Sequence, residues 1–375
     1  MKKIQMVDLQ SQYYKIKSEV DNALLNVMDS AAFINGPEVK SFQKELEDYL
    51  EVKHVIPCAN GTDALQIALM ALGLKEGDEV ITVDFTFAAT VEVIHLLKLK
   101  AVLVDVDYDT FTLDTEKLKA AITDKTKAII PVHLFGQCAN MEEILKIAQA
   151  HGLHVIEDNA QAIGAEYTFS DGRVKKSGTM GTMGTTSFFP SKNLGCYGDG
   201  GAIFTNDDDL AHKLRGIVNH GMYKRYYHDE VGVNSRLDSL QAAILRKKLP
   251  HLDAYNEARR RAADYYDEAF SGHPSILIPV RADYSTHVFH QYTLRILNGK
   301  RNALQAFLAE KDIPAMIYYP VALRNQKAYF QPSEASDFVN TDRLLDQVIS
   351  LPMHTELDEE QLKYITDSVL EFLKN

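Results

Sequence analysis

The sequence predicts an α/β fold in which a mostly parallel sheet lies between helices, followed by a smaller C-terminal α/β region. Two patterns predict it. Between Thr62 and Asp158, helical patterns alternate with short runs rich in β-branched residues, as they do where crossover helices join parallel strands. Beyond Gly272, strand-like runs again lie between helices. A core of this kind is compatible with a chain of 375 residues, 46% of them hydrophobic and 25% charged.

The elements of the first region follow one another at short intervals. Gly73 ends the first predicted helix, because glycine accepts the backbone angles that commonly follow a helix. Each predicted strand ends near a polar residue. The predicted elements are, in order, the helix 63–72, the strand 79–83, the helix 89–97, the strand 101–105, the helix 115–122, the strand 128–132, the helix 140–150 and the strand 154–157.

Later elements divide the chain into two predicted domains. A strand over 202–205 precedes the acidic N-cap run 206–209, and long helical patterns over 238–249 and 252–270 are typical of a bridge between domains. Two further strands are predicted beyond them, over 291–297 and 315–319. We therefore expect a large domain over 1–250 and a smaller one over 251–375.

The composition indicates the cellular compartment of the protein and whether it contacts a membrane or binds a metal. No apolar run reaches the eighteen or so residues that span a bilayer, and the segment 1–8 lacks the apolar core of a signal peptide, so we expect a cytoplasmic protein without membrane contact. The three cysteines, Cys58, Cys138 and Cys196, lack metal-ligand spacing, and reduced thiols fit best. We expect no metal site.

Nucleic acid is an unfavourable partner for this chain. Its formal net charge of -12 repels a phosphate backbone. The one dense basic cluster, over 259–261, lies in a helical pattern beside Glu257 and Asp264. We expect small-molecule partners instead.

Polar residues follow three of the predicted parallel strands. They are Asp84, His133 and Asp158. In open parallel sheets the ligand lies beyond the carboxyl ends of the strands, so the loops that begin at these residues should converge on one crevice. This crevice is the candidate active site.

Lys192 stands in a sequence setting that suits a cofactor held as a Schiff base. Such a site needs a lysine, a carboxylate that keeps a ring nitrogen protonated, and groups that bind an anion. Asp158, at a strand end, can be the carboxylate, and Gln161 follows three residues later. A solvated lysine and a helix N-cap are the ordinary explanations of Lys192 and Asp158 taken singly. The glycine-rich segment 195–201 favours the cofactor site, because its backbone can pass close to a ligand.

Three further segments could complete such a site. Gly61 and Thr62 precede a helix whose exposed amides can bind a phosphate, although a plain N-cap also explains them. Ser187 could add a hydroxyl, or could be a buried strand-end residue. Phe87 lies just beyond a strand, where its ring could stack on a planar cofactor or simply join the core.

Taken together, these segments resemble the signature set of the DegT/StrS family of sugar aminotransferases. The similar segments occur in the family's order over nearly the whole chain: Cys-Ala-Asn-Gly-Thr-Asp-Ala-Leu (58–65), Glu-Asp-Asn-Ala-Gln (157–161), Ser-Phe-Phe-Pro-Ser-Lys (187–192), Gly-Asp-Gly-Gly (198–201), Val-Asn-Ser-Arg-Leu-Asp (233–238) and Tyr-Tyr-Pro (318–320). The resemblance implies the type I fold of pyridoxal-phosphate enzymes, like that of aspartate aminotransferase.

The resemblance also implies a role for each matching residue. The cofactor would be pyridoxal 5'-phosphate, with pyridoxamine 5'-phosphate as its aminated form, and the enzyme would be a homodimer with shared active sites. The implied roles are Schiff-base lysine for Lys192, partner of the pyridine nitrogen for Asp158, neighbour of the ring and phenolic oxygen for Gln161, phosphate ligands for Ser187, Gly61 and Thr62, stacking aromatic for Phe87, and phosphate contact from the neighbouring subunit for Asn234.

Within the family the chain is similar to the WbpE-type enzymes. They aminate the 3-keto carbon of UDP-2-acetamido-2-deoxy-3-oxo-glucuronic acid with L-glutamate as donor, for a cell-surface polysaccharide such as lipopolysaccharide O-antigen. Substrate contacts are then implied for Tyr318 and Tyr319, although many members carry histidine at the first of these positions. Arg236 could pair with a substrate carboxylate or form an ion pair at a subunit interface.

Three other functions compete with this one. The chain could aminate C3 or C4 of another UDP- or dTDP-linked keto-deoxysugar. It could be a deoxygenating dehydratase of the same family, which the lysine at position 192 disfavours because those relatives typically carry histidine there. It could also be a noncatalytic regulator that retains the fold, and such a protein would hold no lysine-bound cofactor.

Overall fold

A computed structural model describes residues 2–329 and 337–374 of the chain. The described part contains a seven-stranded sheet, a three-stranded sheet and two small hairpins. The strands are β1 (His54–Cys58), β2 (Glu79–Val83), β3 (Lys100–Val104), β4 (Thr126–Ile130), β5 (His154–Asp158), β6 (Glu166–Thr168), β7 (Val174–Lys176), β8 (Met183–Ser187), β9 (Gly201–Thr205), β10 (Met222–Lys224), β11 (Tyr227–His228), β12 (Ile276–Leu277), β13 (Tyr292–Ile296) and β14 (Val348–Leu351).

The α-helices lie between and around these strands. They are α1 (Leu9–Ser30), α2 (Pro37–Leu50), α3 (Gly61–Ala71), α4 (Ala89–Leu96), α5 (Thr115–Ala121), α6 (Met141–His151), α7 (Asp208–Ile217), α8 (Ser239–Lys248), α9 (Leu252–Phe270), α10 (Arg301–Glu310), α11 (Val339–Gln347) and α12 (Glu359–Lys374). No helix within the two described ranges is long and apolar enough to cross a membrane.

The large sheet has the strand order β1-β9-β8-β5-β4-β2-β3. Its pairings from β3 through β8 are parallel, whereas β9 runs antiparallel to both β8 and β1. The mostly parallel sheet predicted from the alternation of helices and strands is confirmed. No helix lies between β8 and β9, and the chain turns from one strand directly into its antiparallel neighbour.

Helices cover both faces of this sheet. Neighbouring residues of one strand point to opposite faces, so Val80 and Ile81 enter two different hydrophobic clusters, and so do Ile156 and Val155. One cluster is completed by α5 and α6, and the other by α3, α4 and α7. This double cover explains why the strands read as almost continuous apolar runs.

The C-terminal part is built on β12, β13 and β14, which pair antiparallel. Buried residues of α9, α10 and α12 pack on this small sheet, and Ile4 from the other end of the chain joins the same cluster. The helices α8 and α9 lie between the two sheets in the sequence, as the predicted bridge requires. The division into domains over 1–250 and 251–375 stays a prediction.

One predicted strand is wrong. The segment 315–319 forms only a single antiparallel bridge, between Met316 and Ser350. Beyond that bridge the chain leaves the small sheet, the Tyr318–Tyr319 peptide is cis, and the Tyr319 hydroxyl accepts a hydrogen bond from Gln161. Despite its β-rich composition, the segment therefore contacts the edge of the large sheet and does not pair as a strand.

Candidate active site

The candidate site begins at the carboxyl ends of two adjacent strands. Asp158 is the last residue of β5 and Ser187 the last residue of β8. The parallel register pairs Asp158 with Thr185, so Ser187 lies two residues further along the neighbouring strand. Two residues 29 positions apart in sequence are thereby brought to the same edge of the sheet, where such folds bind ligands.

Asp158 is a buried carboxylate without a cationic partner. Its Oδ2 accepts a hydrogen bond from the Thr90 hydroxyl at 2.8 Å, and its Oδ1 accepts one from the Ala160 amide at 3.2 Å. No lysine, arginine or histidine within residues 2–329 and 337–374 forms an ion pair with it. A buried carboxylate is unfavourable without compensation, so a bound cation such as a protonated ring nitrogen suits this position.

Gln161 follows Asp158 on the same loop, and both ends of its amide are engaged. Its Oε1 accepts a hydrogen bond from the Phe135 amide at 2.7 Å, and its Nε2 donates to the Tyr319 hydroxyl at 3.3 Å. Phe135 has a positive φ of 58°, which turns its amide toward this side chain. The orientation of Gln161 is therefore fixed from both sides.

Lys192 lies half-buried in the turn that follows β8. Burial lowers the pKa of its amine to about 8, although the negative charge of Asp158 opposes the shift. The amine makes no hydrogen bond with any described residue, while the backbone amide of Lys192 donates to the Phe189 carbonyl at 2.8 Å. An amine with this pKa is partly neutral near pH 7 and can act as a nucleophile.

The turn around Lys192 is held by its neighbours. Asn193 donates to Asn256 at 2.7 Å and to the Val288 carbonyl at 2.9 Å, and both of its bonds are buried. At position 195 a Cβ would lie 2.4 Å from the Pro190 carbonyl oxygen, so only glycine lets the chain double back so closely. Gly195 thus permits the sharp turn, and a close approach of the glycine-rich segment to a ligand stays a prediction.

Gly61, Thr62 and Ser187 form a site suited to an anion. Gly61 is the first residue of α3, and a Cβ there would lie 2.7 Å from the Cβ of Ser187. The absence of a side chain therefore lets the start of the helix approach the serine hydroxyl. Among the described residues no acceptor bonds the Gly61 or Thr62 amide, whereas the Asp63 amide donates to Asn60. Free amides at a helix N-terminus bind phosphate well.

Two aromatic residues border the site. Phe87 is 58% exposed, which a core phenylalanine would not be, and its ring centroid lies 6.5 Å from that of Tyr319. Burial and the nearby Asp158 raise the pKa of Tyr319, so its phenol stays protonated at neutral pH. Burial also raises the pKa of the half-buried Tyr318. Phe87 is free to cover one side of a planar ligand.

The side chains of Asn234 and Arg236 make no hydrogen bond or ion pair with the described residues of the chain. Asn234 is exposed and forms an isolated bridge with Asn219, and Arg236 is half-buried without an ion pair among the described residues. Between them, Ser235 accepts a hydrogen bond from the Ala59 amide at 3.0 Å, which ties this segment to the end of β1. The side chains of Asn234 and Arg236 remain available to another molecule.

The other two strand-end residues, Asp84 and His133, have their side chains engaged elsewhere. Asp84 is buried in an ion pair with Arg324. His133 donates from Nε2 to Glu157 at 2.8 Å and accepts at Nδ1 from the Ala139 amide at 3.1 Å, which suits a neutral imidazole. Three loops, which begin at Asp84, His133 and Asp158, are predicted to converge on the site. Of these three first residues, only Asp158 contributes its side chain to the site.

Thr90 and Phe135 are site residues that sequence reasoning missed. Phe135 acts through its backbone amide, which no residue pattern reveals. Thr90 could have been found, since it follows Phe87 by three residues at the start of a helix, where that spacing places side chains on one face.

The arrangement fits pyridoxal 5'-phosphate. Lys192 supplies an amine for its aldehyde, Asp158 a carboxylate for its ring nitrogen, and the Gly61, Thr62 and Ser187 cluster an anion site for its phosphate. No group of three or more histidine, cysteine, aspartate or glutamate side chains in the described part of the chain could hold a metal ion.

Known proteins are similar to this chain along almost its full length. A "Pleiotropic regulatory protein" of Geobacillus stearothermophilus is 47% identical over 375 residues, 99% of each chain. The UDP-2-acetamido-2-deoxy-3-oxo-D-glucuronate aminotransferase of Pseudomonas aeruginosa is 46% identical over 96% of this chain and 98% of its own. The UDP-N-acetyl-3-dehydro-alpha-D-glucosamine 3-aminotransferase of Acidithiobacillus ferrooxidans is 44% identical over 96% of each.

Structure and family agree with these relatives. The crystal structure of DesV from S. venezuelae in complex with a ketimine intermediate superposes with a TM-score of 0.95 at 37% identity, and each chain is covered completely. Residues 14–370 match the DegT/DnrJ/EryC1/StrS aminotransferase family. The chain belongs to this family and is a pyridoxal phosphate-dependent aminotransferase of the aspartate aminotransferase-like fold.

Proposed function

We propose that the chain transfers the amino group of L-glutamate to C3 of UDP-2-acetamido-2-deoxy-3-oxo-glucuronic acid, with Lys192 as the residue that carries the cofactor. The observation that carries the catalytic assignment is the placement of a low-pKa amine and a buried, unpaired carboxylate at one edge of the sheet, beside an anion site. The pKa of Lys192 is about 8, well below the value of 10.5 that is usual for lysine.

Each residue of the site has a separate task. When bound, the cofactor supplies an electron sink that makes the proton on the donor's α-carbon removable. Lys192 would hold the cofactor, and its amine would take up that proton and return it. Asp158 would keep the ring nitrogen protonated, and Gln161, fixed on both sides, would contact the neighbouring edge of the ring.

The phosphate and the ring face position the cofactor. The amides of Gly61 and Thr62 and the hydroxyl of Ser187 would bind the phosphate, so that the aldehyde points to Lys192. Phe87 would cover one ring face and exclude water from it. Tyr318 and Tyr319 lie on the side from which a sugar would enter, and they would contact it.

The choice of sugar rests on two relatives and on Arg236. The P. aeruginosa enzyme is named for a UDP-linked 3-keto sugar acid, and the A. ferrooxidans enzyme for a UDP-linked 3-keto amino sugar, so a UDP-linked 3-keto substrate is common to both names. Arg236 has no carboxylate partner within the described chain, and a substrate carboxylate would provide one. Another UDP- or dTDP-linked keto-sugar is the second candidate, favoured by the A. ferrooxidans name.

The regulatory name of the Geobacillus relative raises the noncatalytic alternative. A regulator that only retained the fold would have no need for the amine, carboxylate and anion site to stay intact together. All three are present in this chain, which supports a catalytic role. The reaction would take place in the cytoplasm and supply an amino sugar for a cell-surface polysaccharide.

A homodimer would complete the site. Helix α1 exposes Tyr14, Leu25 and Met28, whose spacing places them on one face, opposite the residues that it buries. Phe33 and Ile34, just beyond the helix, are also exposed. Lys17 and Asp21 form an exposed ion pair on the same face between Tyr14 and Leu25, so the apolar stripe is the part from Leu25 to Ile34. Exposed apolar side chains grouped in this way mark an interaction surface. A second copy docked there would bring its Asn234, and its Arg236, to the site of the first.

A substrate panel tests the proposal. The enzyme is incubated with L-glutamate and with UDP-linked 3-keto N-acetylhexosamines that either carry or lack the C6 carboxylate, alongside a dTDP-linked 4-keto sugar, and 2-oxoglutarate is followed. We expect the sugar acid to have the highest kcat/KM. A higher kcat/KM for the 4-keto sugar, or equal values for the two UDP sugars, would contradict the assignment of the substrate.

A further inference from the structure

Thr90 lies at the start of α4 and reaches across to the end of β5. Its Oγ1 donates a hydrogen bond to Asp158 Oδ2 at 2.8 Å. Thr90 is completely buried and Asp158 is 6% exposed, so water cannot replace this bond. A threonine in a helix commonly bonds the backbone carbonyl three or four residues earlier, and here the hydroxyl bonds the carboxylate instead.

The surroundings of Asp158 leave this hydroxyl as its principal donor. The remaining protein bond, from the Ala160 amide, is longer at 3.2 Å and reaches the other oxygen. The charge of Asp158 acts on two nearby titratable groups, the Lys192 amine and the Tyr319 phenol, and neither bonds it. The neighbouring Glu157 turns to the opposite side, toward His133.

We propose that Thr90 is a positioning residue for the cofactor, acting through Asp158. The proposal rests on the proposed role of Asp158 as partner of the ring nitrogen. By holding Oδ2, the hydroxyl fixes the plane of the carboxylate so that a lone pair faces the ring nitrogen. It also stabilises the ionised carboxylate, because a donated hydrogen bond favours the charged form.

A neutral donor suits this position better than a cation. An arginine or lysine paired with Asp158 would compete with the protonated ring nitrogen for the same carboxylate. The threonine hydroxyl supports the negative charge without neutralising it. Thr90 and Phe87 lie three residues apart, so one short segment would supply both the stacking ring and the support of the carboxylate.

Two substitutions separate the hydroxyl from the shape of the side chain. Thr90→Val keeps the volume and removes the donor, whereas Thr90→Ser keeps the donor. The dissociation constant of pyridoxal 5'-phosphate is measured by equilibrium titration from pH 5 to pH 8. We expect Thr90→Val to raise it at least about ten-fold, the effect of one hydrogen bond to a charged group. The dissociation constant of Thr90→Ser should stay within about three-fold of that of the unchanged protein, since the hydroxyl donor is retained.

A control substitution distinguishes positioning from simple stabilisation. Without the Thr90 hydroxyl the carboxylate of Asp158 loses its principal donor, so the affinity for the cofactor should fall. Thr82→Val is the matched control, because Thr82 is equally buried and its hydroxyl bonds the Ile130 carbonyl within the sheet. It should lower thermal stability without changing the dissociation constant of the cofactor.

Each outcome bears on a single claim. If Thr90→Val binds the cofactor as tightly as the unchanged protein, Thr90 has no positioning role. The same conclusion follows if Thr90→Ser loses as much affinity as Thr90→Val. If the unchanged protein forms no lysine-bound cofactor at all, the proposed function fails instead, so the two failures are distinguishable.

Discussion

At the scale of single residues, burial determines what Lys192 can do. A lysine amine in water is protonated at neutral pH and is a poor nucleophile, whereas the half-buried amine of Lys192 has a pKa of about 8. Lys248 is a second buried lysine with a pKa lowered to about 8, yet its amine donates to the Gly195 carbonyl at 2.6 Å. A low pKa together with a free amine distinguishes Lys192 from it.

The pKa of Lys192 predicts how cofactor uptake depends on pH. Only the neutral amine attacks an aldehyde, and lowering the pKa makes this form available at lower pH. The rate at which cofactor-free protein takes up pyridoxal 5'-phosphate should therefore rise with a midpoint near pH 8 and then level off. Stopped-flow absorbance measures it. A midpoint close to 10.5, the ordinary value for lysine, would show that burial has no effect on this amine.

Site residues with distinctive chemistry could be predicted from the sequence. The residues that hold them in place could not. Lys192, Asp158 and Gln161 stand in recognisable segments, and Gly61 and Ser187 meet because strand ends share one edge of the sheet. Thr90, the Phe135 amide and the Asn193 bonds depend on which loops fold against one another. Such contacts are set by packing between distant segments, which local patterns do not contain.

At the scale of elements, local patterns were sufficient wherever a strand and a helix alternate. The predicted strand over 79–83 has the observed bounds, and the other elements between α3 and β5 differ from prediction by one or two residues. The β-rich composition of 315–319 predicts a strand, but the segment pairs with the small sheet only at the bridge between Met316 and Ser350. Tyr319 contacts Gln161 instead, and local composition does not reveal such a long-range contact.

Glu157 joins β5 to the turn that leads into β8. Its carboxylate accepts hydrogen bonds from the amides of Gly178, Met180 and Gly181 and from His133, and it is completely buried. Four donors compensate the burial of this charge. Glu157 thereby fixes the two strands whose ends carry Asp158 and Ser187.

Replacing Glu157 with alanine should destabilise this junction. The change leaves three buried or partly buried amides and a buried histidine without their acceptor, so we expect the free energy of unfolding to fall by about 3 kcal/mol or more. Chemical denaturation measures it. Glu116→Ala, which removes an exposed helix pair with Lys119, is the control and should have a much smaller effect. A loss below about 1 kcal/mol for Glu157→Ala would contradict the role of the buried carboxylate.

At the scale of the whole molecule, two features of the single chain support the proposed dimer. The side chains of Asn234 and Arg236 make no hydrogen bond or ion pair within residues 2–329 and 337–374, although their segment is tied to β1, and the apolar stripe of α1 is exposed. A dimer accounts for both facts, because one interface would cover the stripe and bring these two polar residues to a partner's cofactor.

The apolar stripe predicts the effect of a charge on α1. Leu25→Asp places a carboxylate in the proposed interface and should convert the dimer to monomer, with loss of transamination. Sedimentation velocity measures the mass. Leu96→Asp is the matched control, since Leu96 is exposed to a similar degree (63% against 59%) on α4 and should leave the mass unchanged. An intact dimer in Leu25→Asp would exclude α1 from the interface.

The most direct measurement asks which lysine holds the cofactor. The protein is loaded with pyridoxal 5'-phosphate, reduced with borohydride, digested and mapped by mass spectrometry. We expect a single phosphopyridoxyl group on the peptide that contains Lys192, and none in Lys192→Ala, whose fold should be unchanged and whose turnover should be abolished. Labelling of Lys248 instead, or retained turnover in Lys192→Ala, would contradict the assignment of Lys192.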